Sequence, residues 1–132
     1  MKNYINIFVS SIITGATYFL GGWDTAIQIL LVVIVLDYLT GVLKSIFNKK
    51  LNSTVGAKGI VKKCGYLIIV AVGVIIDKLI GNTGAIRTVI IYFFVANEGI
   101  SIIENWGAMG LPIPNVIKNT LEKIKEENGG NK

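Results

Sequence analysis

Thr25–Leu43 (TAIQILLVVIVLDYLTGVL), Lys44–Lys63 (KSIFNKKLNSTVGAKGIVKK) and Cys64–Leu79 (CGYLIIVAVGVIIDKL) decide the fold. The outer two are almost wholly apolar, and each approaches the roughly 20 residues a helix needs to cross a hydrocarbon core. The middle block carries Lys44, Lys49, Lys50, Lys58, Lys62 and Lys63 and no acid. A lysine-rich connection between two apolar runs marks the cytoplasmic side of a membrane. A third run, Ala85–Ile103 (AIRTVIIYFFVANEGISII), follows. Hydrophobic residues make up 52% of the 132-residue chain and charged residues only 16%. A soluble bundle of this size has too little interior to hide three such runs. The expected architecture is therefore all-α and polytopic: membrane helical hairpins, three or four transmembrane helices, able to form oligomers.

Working outward, Asn3–Leu20 is amphipathic, with Asn6, Ser10, Thr14 and Thr17 on one stripe and Ile5, Val9, Ile12, Ala16 and Leu20 on another. It is open to three readings: a fourth span, a helix lying in the interface, or a signal segment. Residues 1–24 thus form an N-terminal helix and turn, 25–106 a three-helix transmembrane core with the basic block at 44–63, and 107–132 a linker and short C-terminal helix. Trp23 and Trp106 suit the two membrane boundaries. Asn52-Ser53-Thr54 suits a helix start, because such side chains cap free backbone amides. From there Lys58, Lys62 and Lys63 would ride on a helix leading into the next span. Gly81–Gly84 is a short turn. Val116–Asn128 reads as a helix with Ile117, Leu121 and Ile124 on one side. It is too short to stand alone, so it must dock on the membrane surface or on neighbouring tails. Gly129–Lys132 should fray. The charge distribution places the C-terminus in the cytoplasm. The N-terminus joins it if the first helix crosses, and otherwise lies outside.

The composition leaves little room for catalysis. There is no His, and Cys64 is the single cysteine, so no intrachain disulfide can form, and zinc and catalytic-dyad chemistry have almost nothing to work with. No catalytic, cofactor-binding or metal-binding residue is assigned, and no cofactor is implied. The net charge of +5 fits an anionic lipid surface, and no nucleic-acid motif is present. The chemistry that remains is intramembrane polarity. Asp37, Thr40, Gly41 and Lys44 share a helical stripe; Gly73 and Asp77 share another; Asn97, Glu98, Ser101, Glu104 and Asn105 crowd the third run. Carboxylates inside a span are costly and usually face a bundle interior or water, and glycines allow close approach of another helix. Asp37, Thr40, Gly41, Gly73, Asp77, Asn97, Glu98 and Ser101 are thus assembly candidates, with Asn6, Ser10, Thr14 and Thr17 as a pore-lining or packing stripe. The plainer alternatives are that Asp37 is neutralised by Lys44, that Glu104 and Asn105 are simply wet, and that Asp77 and Lys78 reach the interface.

Asp37-Tyr38-Leu39-Thr40-Gly41 at the end of a span, Lys58-Gly59 with Lys62-Lys63, Asn97-Glu98 with Ser101-Glu104-Asn105, and Gly110–Pro114 together resemble the toxin-secretion/phage-lysis holins of Gram-positive bacteria and their phages. The resemblance covers about Thr25 to Lys125 and is weakest in the first helix. It implies a non-enzymatic protein of the host cytoplasmic membrane that forms homo-oligomers and opens lesions, causing host cell lysis. An endolysin or toxin is then released as cargo with no direct binding required, and an antiholin is a candidate further partner. An antiholin-type regulator and a small ion channel are the alternatives.

Overall fold

A computed structural model describes residues 1–129 as five helices, with no strand among them: α1 (Lys2–Phe19), α2 (Thr25–Phe47), α3 (Ser53–Leu79), α4 (Ala85–Ala108) and α5 (Asn115–Gly129). Residues 130–132, where fraying was expected, lie outside the described residues, and Gly129 closes α5. Three helices are long and apolar enough to cross a membrane: α2, α3 and α4, with mean hydropathies of 2.3, 2.1 and 1.6. The shorter α1, broken by polar residues, is not among them.

Local chemistry sets the boundaries. Asp24 accepts the backbone N–H of Ile27 at 3.1 Å and so caps α2. Asn52 does the same for α3 through Thr54 N–H at 2.9 Å. The basic block is therefore largely helical, and the true connection is short, running from Asn48 to Asn52. Lys49 and Lys50 lie in it, Lys44 in the last turn of α2, and Lys58, Lys62 and Lys63 on α3. The start of α4 is capped from outside its own chain segment. Asp77 of α3 accepts Ile86 N–H and Arg87 N–H, both at 2.9 Å, satisfying two of the donors that a helix start leaves unpaired. Asp77 is accordingly 2% exposed. The expectation that it reaches the interface is corrected, because two amides hold it inside.

α4 is the centre of the bundle and packs along both α2 and α3, which meet each other far less. Buried residues recur mainly at helical spacings of three, four and seven: Ile27, Leu30 and Asp37 on α2, Val70, Gly73, Val74 and Asp77 on α3, and Arg87, Ile91, Glu98 and Asn105 on α4, with Ala96 buried beside them. The apolar layer is Ile27, Leu30, Val70 and Ile91. Polar residues bracket it at both ends. Outside this seam the spans expose Val32, Val35, Leu39, Ile68, Ile75 and many similar side chains, a surface made for lipid.

α5 docks within its own chain, which corrects the expectation that it rests on the membrane or on neighbouring tails. It folds back along α4, with Leu121 lying where a Cβ on Gly99 would come within 3.0 Å of it. Trp106 is 45% exposed and ties the linker down by donating from its indole Nε1 to Pro112 O at 3.1 Å. Trp23 is also exposed. By contrast, α1 has no buried residue. It meets the bundle at its C-terminal end, where Lys78 Nζ donates to the Tyr18 hydroxyl at 3.2 Å and sits 4.3 Å from that ring's centroid.

Gly73 sets the α3–α4 approach. A Cβ there would lie 2.7 Å from Ile90 Cδ1 and 3.4 Å from Arg87 Cα, so a larger side chain must first displace Ile90 and then crowds the backbone of α4. Gly65 on the same helix has open space around it. Gly73→Leu should cost about 1–3 kcal/mol through overpacking, read as a lowered thermal midpoint of the purified protein in detergent, whereas Gly65→Leu should leave that midpoint nearly unchanged. Equal behaviour of the two variants would remove Gly73 from the packing account.

Candidate functional site: two polar layers in an apolar bundle

At the end of the bundle that carries the basic block, one ammonium group joins all three long helices. Lys63 Nζ of α3 donates to Asp37 Oδ2 of α2 at 2.5 Å and to Glu98 Oε2 of α4 at 2.6 Å. The second Asp37 oxygen accepts from Ser101 Oγ at 2.6 Å and Asn105 Nδ2 at 3.0 Å. Asn105 Nδ2 also donates to Thr40 Oγ1 at 3.0 Å, and Thr40 donates its own proton back to Leu36 O. Gly41 faces Asn105, with 3.7 Å between a Cβ built there and Nδ2. Glu98 is 1% exposed and Asp37 7%. Among the described residues no buried side-chain nitrogen or oxygen lacks a partner, which is what a polar layer needs where no water can substitute.

The arrangement brings together Asp37, Thr40, Gly41, Glu98 and Ser101 as one constellation. Asn97 is half-buried on the adjoining face. Two readings are corrected. The partner of Asp37 is Lys63, on another helix, and Lys44 is not bonded to it. Asn105 is 6% exposed and part of the layer, so it is not a wet residue at the end of the span. Lys63 is the residue that sequence reasoning placed least well. It was counted with the lysines of the block, yet it lies seven residues before the buried Val70 on the seam that continues to Asp77. That register was the available signal.

At the opposite end Arg87 closes a second layer. Its guanidinium grips Asp24 with both terminal nitrogens, Nη1 to Oδ2 at 2.7 Å and Nη2 to Oδ1 at 3.0 Å, the paired geometry in which arginine binds carboxylates best. Its Nε donates to Leu20 O at 2.6 Å, and Nη2 reaches Gly22 O at 3.3 Å. Thus α4 holds the α1–α2 turn, which passes over it at Gly21, where φ is +84° and a Cβ would lie 2.6 Å from Arg87 Nε. Hydrogen bonding to Arg87 holds the Asp24 carboxyl below its ordinary range, with burial opposing the shift.

Asn6, Ser10 and Thr14 stay exposed on α1, while Thr17 bonds back to Ile13 O. The polar stripe of α1 is therefore not drawn into either layer. Among the described residues no group of His, Cys, Asp or Glu could hold a metal ion.

A family model described as the bacteriophage holin family matches residues 14–126. The chain is 44% identical over 126 residues to an uncharacterized 14.9 kDa protein of Clostridium perfringens encoded in the nagH 3' region, covering 95% of this chain and 96% of that one. It is 34% identical over 113 residues to a probable holin of Bacillus phage phi105, covering 86% and 84% of the two chains. An uncharacterized protein of Listeria monocytogenes is 41% identical over 104 residues, 79% of this chain and 74% of that one. No solved structure matches the chain.

The charge arithmetic of the first layer orders its variants. Lys63→Met leaves Asp37 and Glu98 facing each other without a cation, and breaking a buried pair in this way costs about 3–5 kcal/mol. Asp37→Asn leaves Lys63 paired one-to-one with Glu98, at a cost of about 1 kcal/mol. Membrane accumulation of folded protein should therefore fall sharply in the first variant and little in the second. The reverse order would show that Lys63 does not hold the layer together.

The second layer has its own test. A carboxyl whose pKa is depressed on folding adds stability above the ordinary range and loses it as pH falls through the folded value. Asp24 is half exposed, with 51% of its side chain accessible, so its ion pair contributes no more than about 1 kcal/mol. The thermal-midpoint gap between the wild-type protein and Asp24→Asn should be present at neutral pH and vanish once the pH falls below the ordinary carboxyl range. A gap that persists in acid would assign the effect to something other than the ion pair.

Proposed function

Since the chain belongs to the bacteriophage holin family, a non-enzymatic class of membrane proteins, we propose that it acts as a holin that oligomerises in a cytoplasmic membrane and opens lesions. Through them an endolysin or a toxin passes to the cell wall and the host cell lyses. The observation that carries this reading is the combination of three apolar spans with buried polar layers. Helices in lipid gain nothing from hydrophobic burial against one another, so they associate through small residues and polar contacts. Asp37, Thr40, Gly41, Gly73, Asp77, Asn97, Glu98 and Ser101 supply such contacts within one copy, and equivalent groups on a neighbouring copy could exchange for them. The Asn6, Ser10, Thr14 and Thr17 stripe offers a contact between copies or a wall for water.

The orientation follows from Lys44, Lys49, Lys50, Lys58 and Lys62, which gather at one end of the bundle. Positive residues are retained on the cytoplasmic side, so that end and the C-terminus face the cytoplasm. Trp23 then sits near the outer boundary and Trp106 near the inner one.

Induced expression of the chain in a bacterium should cause abrupt growth arrest with loss of membrane potential. Co-expression with a wall hydrolase that has no export signal should convert arrest into lysis. Continued growth at verified membrane abundance would identify a regulator of the antiholin type, and selective conductance without passage of the hydrolase would identify a small channel.

A further inference from the structure

At the basic end, α2 and α3 diverge and leave a cavity of about 840 Å³ between them, whose polar rim includes Lys44, Ser45, Lys50, Asn52 and Ser53. Lys44 and Lys50 form no ion pair among the described residues. The start of α3 opens onto the same space, so the positive end of its dipole adds to the two ammonium groups. The one carboxylate on the lining is Asp37, and both its oxygens are already engaged by Lys63, Ser101 and Asn105. Among the described residues, the lining therefore offers the two cations at the mouth no free carboxylate.

A second groove of about 250 Å³, lined by apolar atoms alone, lies beside the cavity between α2 and α3. Tyr38, Ile60 and Lys63 border both spaces. The groove runs past Val35, Leu39 and Leu67 toward the bundle middle. A ligand filling both spaces has an anionic head, hydrogen-bonded and ion-paired at the rim, and a hydrocarbon tail descending along the helices.

We propose that this composite site binds a single anionic phospholipid, its phosphate between Lys44 and Lys50 at the start of α3 and one acyl chain in the groove beside Val35 and Leu39. Charge complementarity chooses this occupant over a helix from a second copy. A helix would bring apolar or mixed side chains to the rim and leave the half-buried Lys44 and the exposed Lys50 beside it uncompensated. A basic pocket between transmembrane helices at the cytoplasmic face is also the setting in which anionic headgroups are recognised. The bound lipid would bridge the two spans that touch each other least.

The full chain, reconstituted in bilayers with equal phosphatidylglycerol and phosphatidylcholine and released for native mass spectrometry, should retain phosphatidylglycerol over phosphatidylcholine by roughly tenfold, given two lysines at the surface. K44Q/K50Q should bring the ratio near one. K49Q/K58Q removes the same charge from lysines that do not line the cavity, and should leave the preference intact. Val35→Trp should weaken retention by filling the groove. Circular dichroism of each variant confirms that it remains helical. Equal retention of the two lipids by the wild-type protein would overturn the proposal, as would loss of preference in both lysine pairs, which would indicate a diffuse surface field. Displacement by millimolar inorganic phosphate would show that the site reads a free anion, and a lipid-free dimer occupying the groove would show that a second copy fills it.

Discussion

The ammonium of Lys63, held between the carboxylates of Asp37 and Glu98, is the constraint on which the bundle depends. Each of these three side chains is costly on its own helix: a charge at a span's centre costs about 2.5–3.5 kcal/mol on translocon scales. The cost is relieved at one alignment of three helices and at no other. A one-turn slip of α3 would carry Lys63 about 5.4 Å along the axis, away from both acids. Ser101 and Asn105 then complete the coordination of the Asp37 carboxylate, Thr40 accepts from Asn105, and among the described residues no buried side-chain nitrogen or oxygen is left unsatisfied. The layer works as a register pin, and specificity of alignment is the best-attested role for buried polar groups.

The pin at one end explains the organisation of the rest. The middle of the seam, with Ile27, Leu30, Val70 and Ile91, packs closely but cannot choose a register, since lipid is as apolar as those side chains. A second fixed point is needed, and Arg87 and Asp77 provide it. Asp77 links α3 to the first amides of α4; Arg87 links α4 to the turn before α2. The central helix is thus anchored to both neighbours at both ends. Gly73 allows the approach that makes the second anchor short enough to form.

The gross architecture was legible because it rests on properties that act locally. Run length identified α2, α3 and α4, Asn52 marked the start of α3, and the stripe of Ile117, Leu121 and Ile124 gave α5. The acids inside the runs, Asp37 and Glu98, were visible as anomalies, and both lie in the polar layer around Lys63. Their partner was less visible. Lys63 belongs to a cluster of lysines whose summed charge has a sufficient explanation in topology, and nothing in a single helix says which member turns inward. Asp77 and Arg87 were obscured for a similar reason: near a span's end, a charged side chain can reach water as easily as a partner, and three-dimensional placement of the turn decides. The docking of α5 depended on Gly99, a small residue whose significance appears only when Leu121 is set against it.

Arg87 recognises the α1–α2 turn through the main-chain carbonyls of Leu20 and Gly22. Carbonyls are common to every amino acid, so the contact itself reads no side chain. The constraint on the turn is its backbone: Gly21 and Gly22 both hold a positive φ, +84° and +115°, and the guanidinium also excludes a Cβ at Gly21. Because α1 joins the body chiefly through this backbone clasp and Tyr18, the segment before it is free to diverge in length, polarity and sequence while α2, α3 and α4 keep their alignment. Selection can therefore rewrite the first helix as an interchangeable module, altering its behaviour at the membrane without reopening the problem of how the remaining helices fit together.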